Sequence, residues 1–366
     1  MTGNGVDWIA LGLITAECPR IIPRLLSFFP DPADALRSTP EEFGRLGLAE
    51  SQFKDILSGA LLERADEETG LLRSMGGRAV GLGEPDYPAL LKHIPDPPLA
   101  LYCLGDPGAW NEPVVGIVGA RKPSPYGRAV AENLARELAG RGLVVASGLA
   151  EGIDTRAHVG AMETGRTIAV LGTGLDTCYP RQNRRLAEKI AATGALITEF
   201  PFGSEPRGKH FPQRNRLISG LSLALVVVEA SLKSGSLITA GLALEQNREV
   251  LAVPGAITST LSSGTNALIQ AGAKPVTRWQ DVVEELPGSL RNMALESERC
   301  GPAEAAPRSG EEKRVWGCLG AGGPVHIDEL ASRADVPLPD LLAVLLDMEL
   351  RGLVRQSPGK YYTRSL

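Results

Sequence analysis

The segment 209–216 (KHFPQRNR) places three cations, a phenylalanine ring and two amide side chains within eight residues. Cations neutralise phosphates and flat groups suit nucleobases, so this composition is typical of nucleic-acid contact. The wider segment 181–216 holds eight Lys and Arg residues against three acidic ones, although the whole chain has a formal net charge of −5. A polyanion is therefore expected to bind at one patch. The predicted contacts in this stretch are Lys209, Phe211, Arg214, Asn215 and Arg216.

Glycines and small hydroxyl residues recur where predicted strands end. Glycine lets backbone N–H groups approach an anion, and a following helix N-terminus adds partial positive charge. Several such loops along one sheet edge suit a chain of phosphates better than a single cofactor. The predicted anion-binding residues are Gly119, Arg121, Ser147, Gly148, Gly152, Ser234, Gly235, Ser236 and Thr239.

Ordinary structural roles compete with these interpretations. Arg121 also fits a surface ion pair, the cations of 209–216 fit a solvated face, and Phe211 fits a buried core position. The hydroxyl groups of Ser234, Ser236 and Thr239 are equally suited to capping a helix, which is compatible with binding.

The residues disfavour the common nucleotide cofactors. Gly119 is followed by Ala-Arg-Lys instead of the G-x-G-x-x-G pattern, and the chain contains no G-x-x-x-x-G-K-[ST] loop. The four histidines and five cysteines are scattered, without a Cys-x-x-Cys pair, so neither a metal site nor a disulfide framework is expected. We expect no cofactor.

Residues 76–287 alternate strands with helices, which predicts a doubly wound α/β sheet. Several of the strands are continuous apolar runs, as in parallel sheets covered on both faces. The predicted strands are 114–118, 143–146, 167–171, 195–198, 223–228 and 249–253, and the helices include 127–139, 183–192 and 236–246.

Smaller modules are expected on both sides of this domain. Residues 1–75 look helical, with a capping box at Thr39-Pro40-Glu41-Glu42 and two short helices around Gly47, as in sterile-alpha-motif or helix-hairpin-helix domains. Residues 288–310 are rich in small and polar residues and are predicted to be a linker. Residues 311–366 show three helices followed by a hairpin, which predicts a winged-helix domain.

Composition also suggests where the protein works. No apolar run approaches the roughly 18 residues of a membrane helix, and the first residues lack the features of a secretion signal. Five scattered cysteines, an odd number, suit a reducing compartment, so a cytoplasmic location is expected.

Catalysis has little support in the sequence. Asp154 and His158 are one helical turn apart, which favours a structural contact between them. No Ser-His-Asp order or close pair of catalytic carboxylates stands out, so we expect a binding protein and not an enzyme.

Taken in order, the motifs of 80–287 resemble those of the DNA-processing protein A (DprA/Smf) family. Each motif is weak alone, and their order is highly specific. The motifs are Asp86-Tyr87-Pro88 with Pro97-Pro98-Leu99, Gly119-Ala120-Arg121, Ser147-Gly148 through Gly152 to His158, Gly172 to Asp176 with Tyr179-Pro180, Phe211 to Leu221, Ser234 to Ala240 and Pro254-Gly255.

This resemblance implies an extended Rossmann fold that binds single-stranded DNA entering during natural transformation. Members protect that DNA from nucleases, load the RecA recombinase on it, commonly form homodimers through the Rossmann domain and have no established catalytic activity. The family's DNA pocket would map to Arg121, Lys209, Arg214 and Arg216, with the glycine-rich loops around the phosphates.

Two rival functions of the chain remain open, and the winged-helix segment has its own expected role. A nucleotide-monophosphate phosphoribohydrolase would use a P-G-G-x-G-T-x-x-E loop, and 234–239 lacks its glycine pair and its glutamate. A scaffold could instead present the basic patch to an acidic protein. In the winged helix, segment 339–351 carries three acids against one cation, so we expect it to contact protein, or its own chain, and not a DNA groove.

Overall fold

Aliphatic runs in the middle of the chain form the strands of one nine-stranded mixed sheet. The computed structural model describes residues 3–16, 19–46, 59–299, 310–319, 325–350, 354–357 and 359–364. The chain divides into two units, Met1–Leu295 and Glu296–Leu366. Within the described residues, no helix has the length and apolarity to cross a membrane.

The described residues at the start of the first unit form the helices α1 (Gly3–Thr15), α2 (Ile22–Phe28), α3 (Pro32–Leu36), α4 (Pro40–Arg45) and α5 (Ala60–Ser74). The predicted capping box at α4 is confirmed, because Thr39 accepts from the Glu42 N–H and Glu42 accepts from the Thr39 N–H. The second helix expected after Gly47 lies outside the described residues. Helices α1 and α5 share a buried core with the sheet, with Trp8 beneath Gly81 and Gly83, so the predicted boundary at residue 75 separates elements that pack together.

The sheet confirms the predicted α/β class, and all six predicted strands are present. Its strand order is β1-β2-β6-β5-β4-β3-β7-β8-β9; pairs from β6 to β9 are parallel, while β1 and β2 form an antiparallel edge that the sequence analysis missed. The strands are β1 (Arg78–Gly81), β2 (Ala100–Gly105), β3 (Val114–Val118), β4 (Val144–Ser147), β5 (Thr167–Val170), β6 (Ala195–Thr198), β7 (Ala224–Val227), β8 (Glu249–Ala252) and β9 (Lys274–Pro275).

Helices cover both faces of the sheet, with a separate apolar cluster under each face. Residues 288–299, placed in the predicted linker, form α13 instead, because Ala294 is buried in one of these clusters. The helices are α6 (Pro125–Ala139), α7 (Ile153–Thr164), α8 (Arg184–Thr193), α9 (His210–Leu221), α10 (Gly235–Glu245), α11 (Ser263–Gln270), α12 (Trp279–Val283) and α13 (Gly288–Arg299).

The second unit confirms the predicted winged helix. Three helices pack on a three-stranded sheet of order β10-β12-β11. Leu341, Leu345 and Met348 of its third helix are buried, whereas Leu338, Leu342 and Leu346 are exposed along another face. The elements are α14 (Gly310–Cys318), β10 (Val325–His326), α15 (Ile327–Ala334), α16 (Leu338–Leu350), β11 (Val354–Ser357) and β12 (Tyr361–Arg364).

The close approach of α6 and α7 yields a stability prediction. A Cβ added to Gly160 in α7 would fall on the Glu132 carbonyl oxygen of α6, so Gly160→Ala must push the helices apart. We expect a loss of about 1–3 kcal/mol in the free energy of unfolding, measured with urea. Gly241→Ala in α10 is the matched control, because its Cβ would meet open space. The control should stabilise by about 0.5–1 kcal/mol, and equal behaviour of the two variants would contradict this packing argument.

Candidate nucleic-acid interface

The strand order reverses between β3 and β7, and a cleft opens there. Strands β4 to β6 extend from β3 in one direction, while β7 and β8 lie on its other side. The loops that follow β3 and β7 therefore diverge at the carboxyl edge of the sheet, which is where ligands bind in open α/β folds. The cleft has a volume of about 580 Å³ and is walled by 119–122, the start of α9 and 231–239.

Nine of the fourteen predicted site residues line this cleft. They come from three separate segments, so the fold brings together residues that are up to 120 positions apart. The nine are Gly119, Arg121, Phe211, Arg214, Asn215, Ser234, Gly235, Ser236 and Thr239.

Arg121 is exposed at the mouth of the cleft, and Gly152 fixes its backbone. Gly152 has a φ of +87°, and a Cβ there would lie 2.6 Å from the Arg121 carbonyl oxygen. The next residue, Ile153, donates its N–H to the Ala120 carbonyl at 3.1 Å. Gly152 thus packs behind residues 119–122, which we call the arginine loop, and does not line the cleft.

Phe211 is half-buried and held from both sides. Its ring centroid lies 5.4 Å from the guanidinium carbon of Arg121 and 5.4 Å from the ring centroid of Tyr179. A Cβ at Gly172 would come within 3.1 Å of the Phe211 ring, so that glycine leaves room for it. The ring is fixed in place and also lines the cleft, so base contact by Phe211 stays a prediction.

Arg214 forms the floor of the cleft. It is buried, and its guanidinium donates to the Gly148 carbonyl at 2.6 Å and to the Val170 carbonyl. Burial lowers the pKa of Arg214 to about 10, while the Asp154 carboxylate opposes that shift, so the side chain is cationic at neutral pH. A Cβ at Gly148 would lie 2.6 Å from Nη2 of Arg214, so only glycine leaves the guanidinium in place.

Asp154 and its neighbours support this floor. Its carboxylate accepts the N–H groups of Gly148 at 3.1 Å and Ala150 at 3.3 Å, and burial raises its pKa although Arg214 lowers it. Ser147 is buried and donates to the Ile117 carbonyl at 2.6 Å, so it supports the strand and is not part of the lining. His158 bonds Thr167 Oγ1 at 2.7 Å, and burial lowers its pKa to about 3.

Arg216, predicted as a phosphate contact, is placed elsewhere. It is 3% exposed, and its guanidinium pairs with the Glu199 and Asp96 carboxylates, the latter at 3.3 Å. Residues two apart on an α-helix point about 200° away from each other, so Arg214 and Arg216 cannot both face the cleft. This correction gives Arg216 a structural role in seating α9. Lys209 is exposed at the start of α9 and lies outside the lining.

The hydroxyl loop both caps a helix and faces the cleft. Ser234 Oγ accepts from the Ser236 N–H at 3.4 Å and lies 2.7 Å from Ser236 Oγ at the N-terminus of α10. Gly235 is exposed beside them, which leaves the backbone of this first turn accessible.

Two residues beside the cleft were not among the predicted site residues. Lys122 is exposed in the cleft wall next to Arg121, and its adjacency was the available signal. Glu229 is buried, accepts from the N–H of Ser124 at 2.9 Å and from its hydroxyl at 2.6 Å, and so anchors the start of α6 behind the arginine loop. No local pattern marked that contact, since the two residues are 105 positions apart.

The placement of Arg216 predicts a change in stability. Arg216→Ala would leave the buried Glu199 carboxyl without its cationic partner, so we expect urea unfolding to show a loss of about 3 kcal/mol. The double variant Arg216→Met, Glu199→Leu removes both charges and should recover part of that loss. A single variant as stable as the parent chain would refute the structural role.

Sequence comparison finds the same organisation in known proteins. The family model described as DNA recombination-mediator protein A matches residues 78–287, and the DprA winged helix domain matches 301–360. Protein Smf of Synechocystis is 33% identical over 98% of both chains. Protein Smf of Escherichia coli is 40% identical over 75% of this chain and 74% of its own.

Solved structures agree. DNA processing protein A from Streptococcus pneumoniae has a TM-score of 0.68 and 33% identity, covering 77% of this chain and 98% of that one. DNA processing protein A from Helicobacter pylori, whose structure concerns its single-stranded DNA binding mode, has a TM-score of 0.51 and 33% identity over 57% of this chain and 93% of its own. By sequence, fold and motif order, this chain belongs to the DNA-processing protein A (DprA/Smf) family.

Proposed function

We propose that the protein binds single-stranded DNA in the cleft between β3 and β7. The observation that carries this proposal is the exposed guanidinium of Arg121, which has no carboxylate partner among the described residues and is held over the Phe211 ring above the buried cation of Arg214. Phosphates would meet Arg121, Lys122 and the first turn of α10, and a base would meet the Phe211 ring. The single-strand binding of the Helicobacter pylori relative supports this assignment.

The same geometry favours binding over catalysis. Among the described residues that line the cleft, Asp154 is the one carboxylate, and two backbone N–H groups and Arg214 already occupy it. It therefore serves to hold the floor and is poorly placed to move a proton on a substrate. This arrangement therefore does not support a phosphoribohydrolase function.

We further propose a wider role in recombination. As the family resemblance implies, the protein would protect incoming single strands from nucleases and load RecA on them during natural transformation. It would act in the cytoplasm as a homodimer formed through the Rossmann domain. A fixed, sequence-tolerant cleft suits a mediator that must hold any incoming strand and later release it.

Salt dependence tests the cleft directly. Arg121→Ala should remove about one phosphate contact and make the negative slope of log K against log salt shallower by about 0.7 for oligo-dT, measured by fluorescence anisotropy. Phe211→Leu should weaken binding by about 1–3 kcal/mol with the slope unchanged, because it removes stacking and no charge. Arg136→Ala is the control, since Arg136 pairs with Glu163 outside the cleft. An unchanged slope for Arg121→Ala would remove this residue from the interface.

The winged helix is expected to contribute little to this binding. Helix α16 contains Asp340, Asp347 and Glu349 and no cation, so its charge opposes a nucleic-acid backbone. Removing 309–366 should change the affinity for single-stranded DNA by less than about tenfold, or about 1.4 kcal/mol, in the same assay. A larger loss would place part of the DNA interface on this unit.

A further inference from the structure

A second cleft of about 460 Å³ adjoins the first on the far side of the arginine loop. Arg121 and Lys122 line both clefts, so the two form one continuous surface across this loop. The second cleft continues to Arg128 near the start of α6 and to Arg156 on α7. Apart from Arg121 and Gly152, none of its lining residues was predicted as part of a site.

The wall of this second cleft is held by buried hydrogen bonds. Asn183 is buried, and its amide donates to the Leu149 carbonyl at 2.8 Å and to Thr155 Oγ1 at 2.9 Å. Thr155 in turn donates to the Ala150 carbonyl at 2.7 Å. These bonds fix the start of α7 against the turn before α8, so the cleft exists without a ligand to shape it.

The charges of the second cleft are unbalanced. Four cations and the single carboxylate of Glu151 belong to its lining. Arg156 pairs with Glu132 at 3.2 Å, outside the lining. Within the described part of the chain, no carboxylate pairs with Arg121, Lys122 or Arg128. Arginines elsewhere on the same sheet domain, such as Arg136 and Arg166, have carboxylate partners.

The position of Arg128 is unfavourable in the unliganded protein. It lies in the first turn of α6, where the helix dipole is positive and a cation is disfavoured. Glu229 satisfies the Ser124 N–H from inside the fold, whereas no carboxylate of the described residues meets Arg128 on the exposed side. An anion bound in the cleft would interact favourably with both the side chain and the helix terminus.

From these observations we infer that the second cleft is an additional phosphate-binding track for single-stranded DNA. The strand leaves the first cleft, crosses the loop at Arg121 and Lys122, and places its next phosphates against Arg128. Gln182 is exposed in the same lining, where its amide donates to the Glu151 carboxylate. This inference rests on the proposed function and extends it, because it predicts that affinity grows with strand length after the first cleft is filled.

The test measures binding of oligo-dT strands from about 4 to about 16 nucleotides, the range of site sizes in single-strand binding folds. Arg128→Ala should leave the affinity for the shortest strands unchanged. On the longest strands it should make the negative slope of log K against log salt shallower by about 0.7. Glu151→Gln should tighten binding to the long strands alone, because it removes the opposing charge. Arg136→Ala, further along the same helix, is the control and should change nothing.

A stability readout separates binding from folding. Because Arg128 opposes the dipole of α6, Arg128→Ala should keep or raise the thermal midpoint while it weakens long-strand binding. If Arg128→Ala binds all lengths like the parent while Arg121→Ala loses affinity, the second track is refuted and the first cleft stands. An equal loss at every length would also refute the track, by placing Arg128 in the first cleft. Failure of the parent chain to bind any strand would refute the proposed function itself.

Discussion

The buried guanidinium of Arg214 connects helix α9 to strands β4 and β5. The side chain starts from α9 and donates to carbonyls after β4 and at the end of β5, next to the Asp154 carboxylate of α7. A buried cation is costly unless it is paired and hydrogen-bonded, so these partners must stay where they are. The requirement fixes the glycine at 148, the start of α7 and the register of α9 together. The cleft is therefore formed before any ligand arrives.

Two groups of cations near the clefts have different physical roles. Arg216 and Arg214 are buried against carboxylates and backbone carbonyls, respectively, and they set the position of α9 from opposite sides. Arg121, Lys122 and Arg128 are exposed and lack carboxylate partners among the described residues. Only the second group can exchange its water and counterions for phosphates at low cost. The acidic balance of the whole chain then directs a polyanion to this group and away from the rest of the surface.

The sequence predicted the fold class, six strands and most of the cleft, because buried parallel strands read as continuous apolar runs and anion-binding loops need glycine. It could not separate Arg214 from Arg216, since composition does not reveal where α9 begins and therefore which way each residue points. The short antiparallel strands β1 and β2 were missed because neither alternates clearly between apolar and polar residues. The meeting of 119–122 with 231–239 depends on strand order, which no local pattern encodes.

The same buried polar contacts make the cleft rigid and leave its surface open to a ligand. The groups that shape the cleft, namely the Arg214 carbonyl bonds, the Asp154 cap and the Glu229 anchor, are all buried and satisfied by backbone atoms or by Ser124. They are therefore unavailable to bases and impose no hydrogen-bond code. Besides the half-buried Asn215 amide, the lining offers mainly charge, a helix N-terminus and one aromatic ring, each of which is indifferent to sequence. A strand bound there would lose little affinity to ordering of the protein, and it would be held by its backbone and by stacking, whatever its bases.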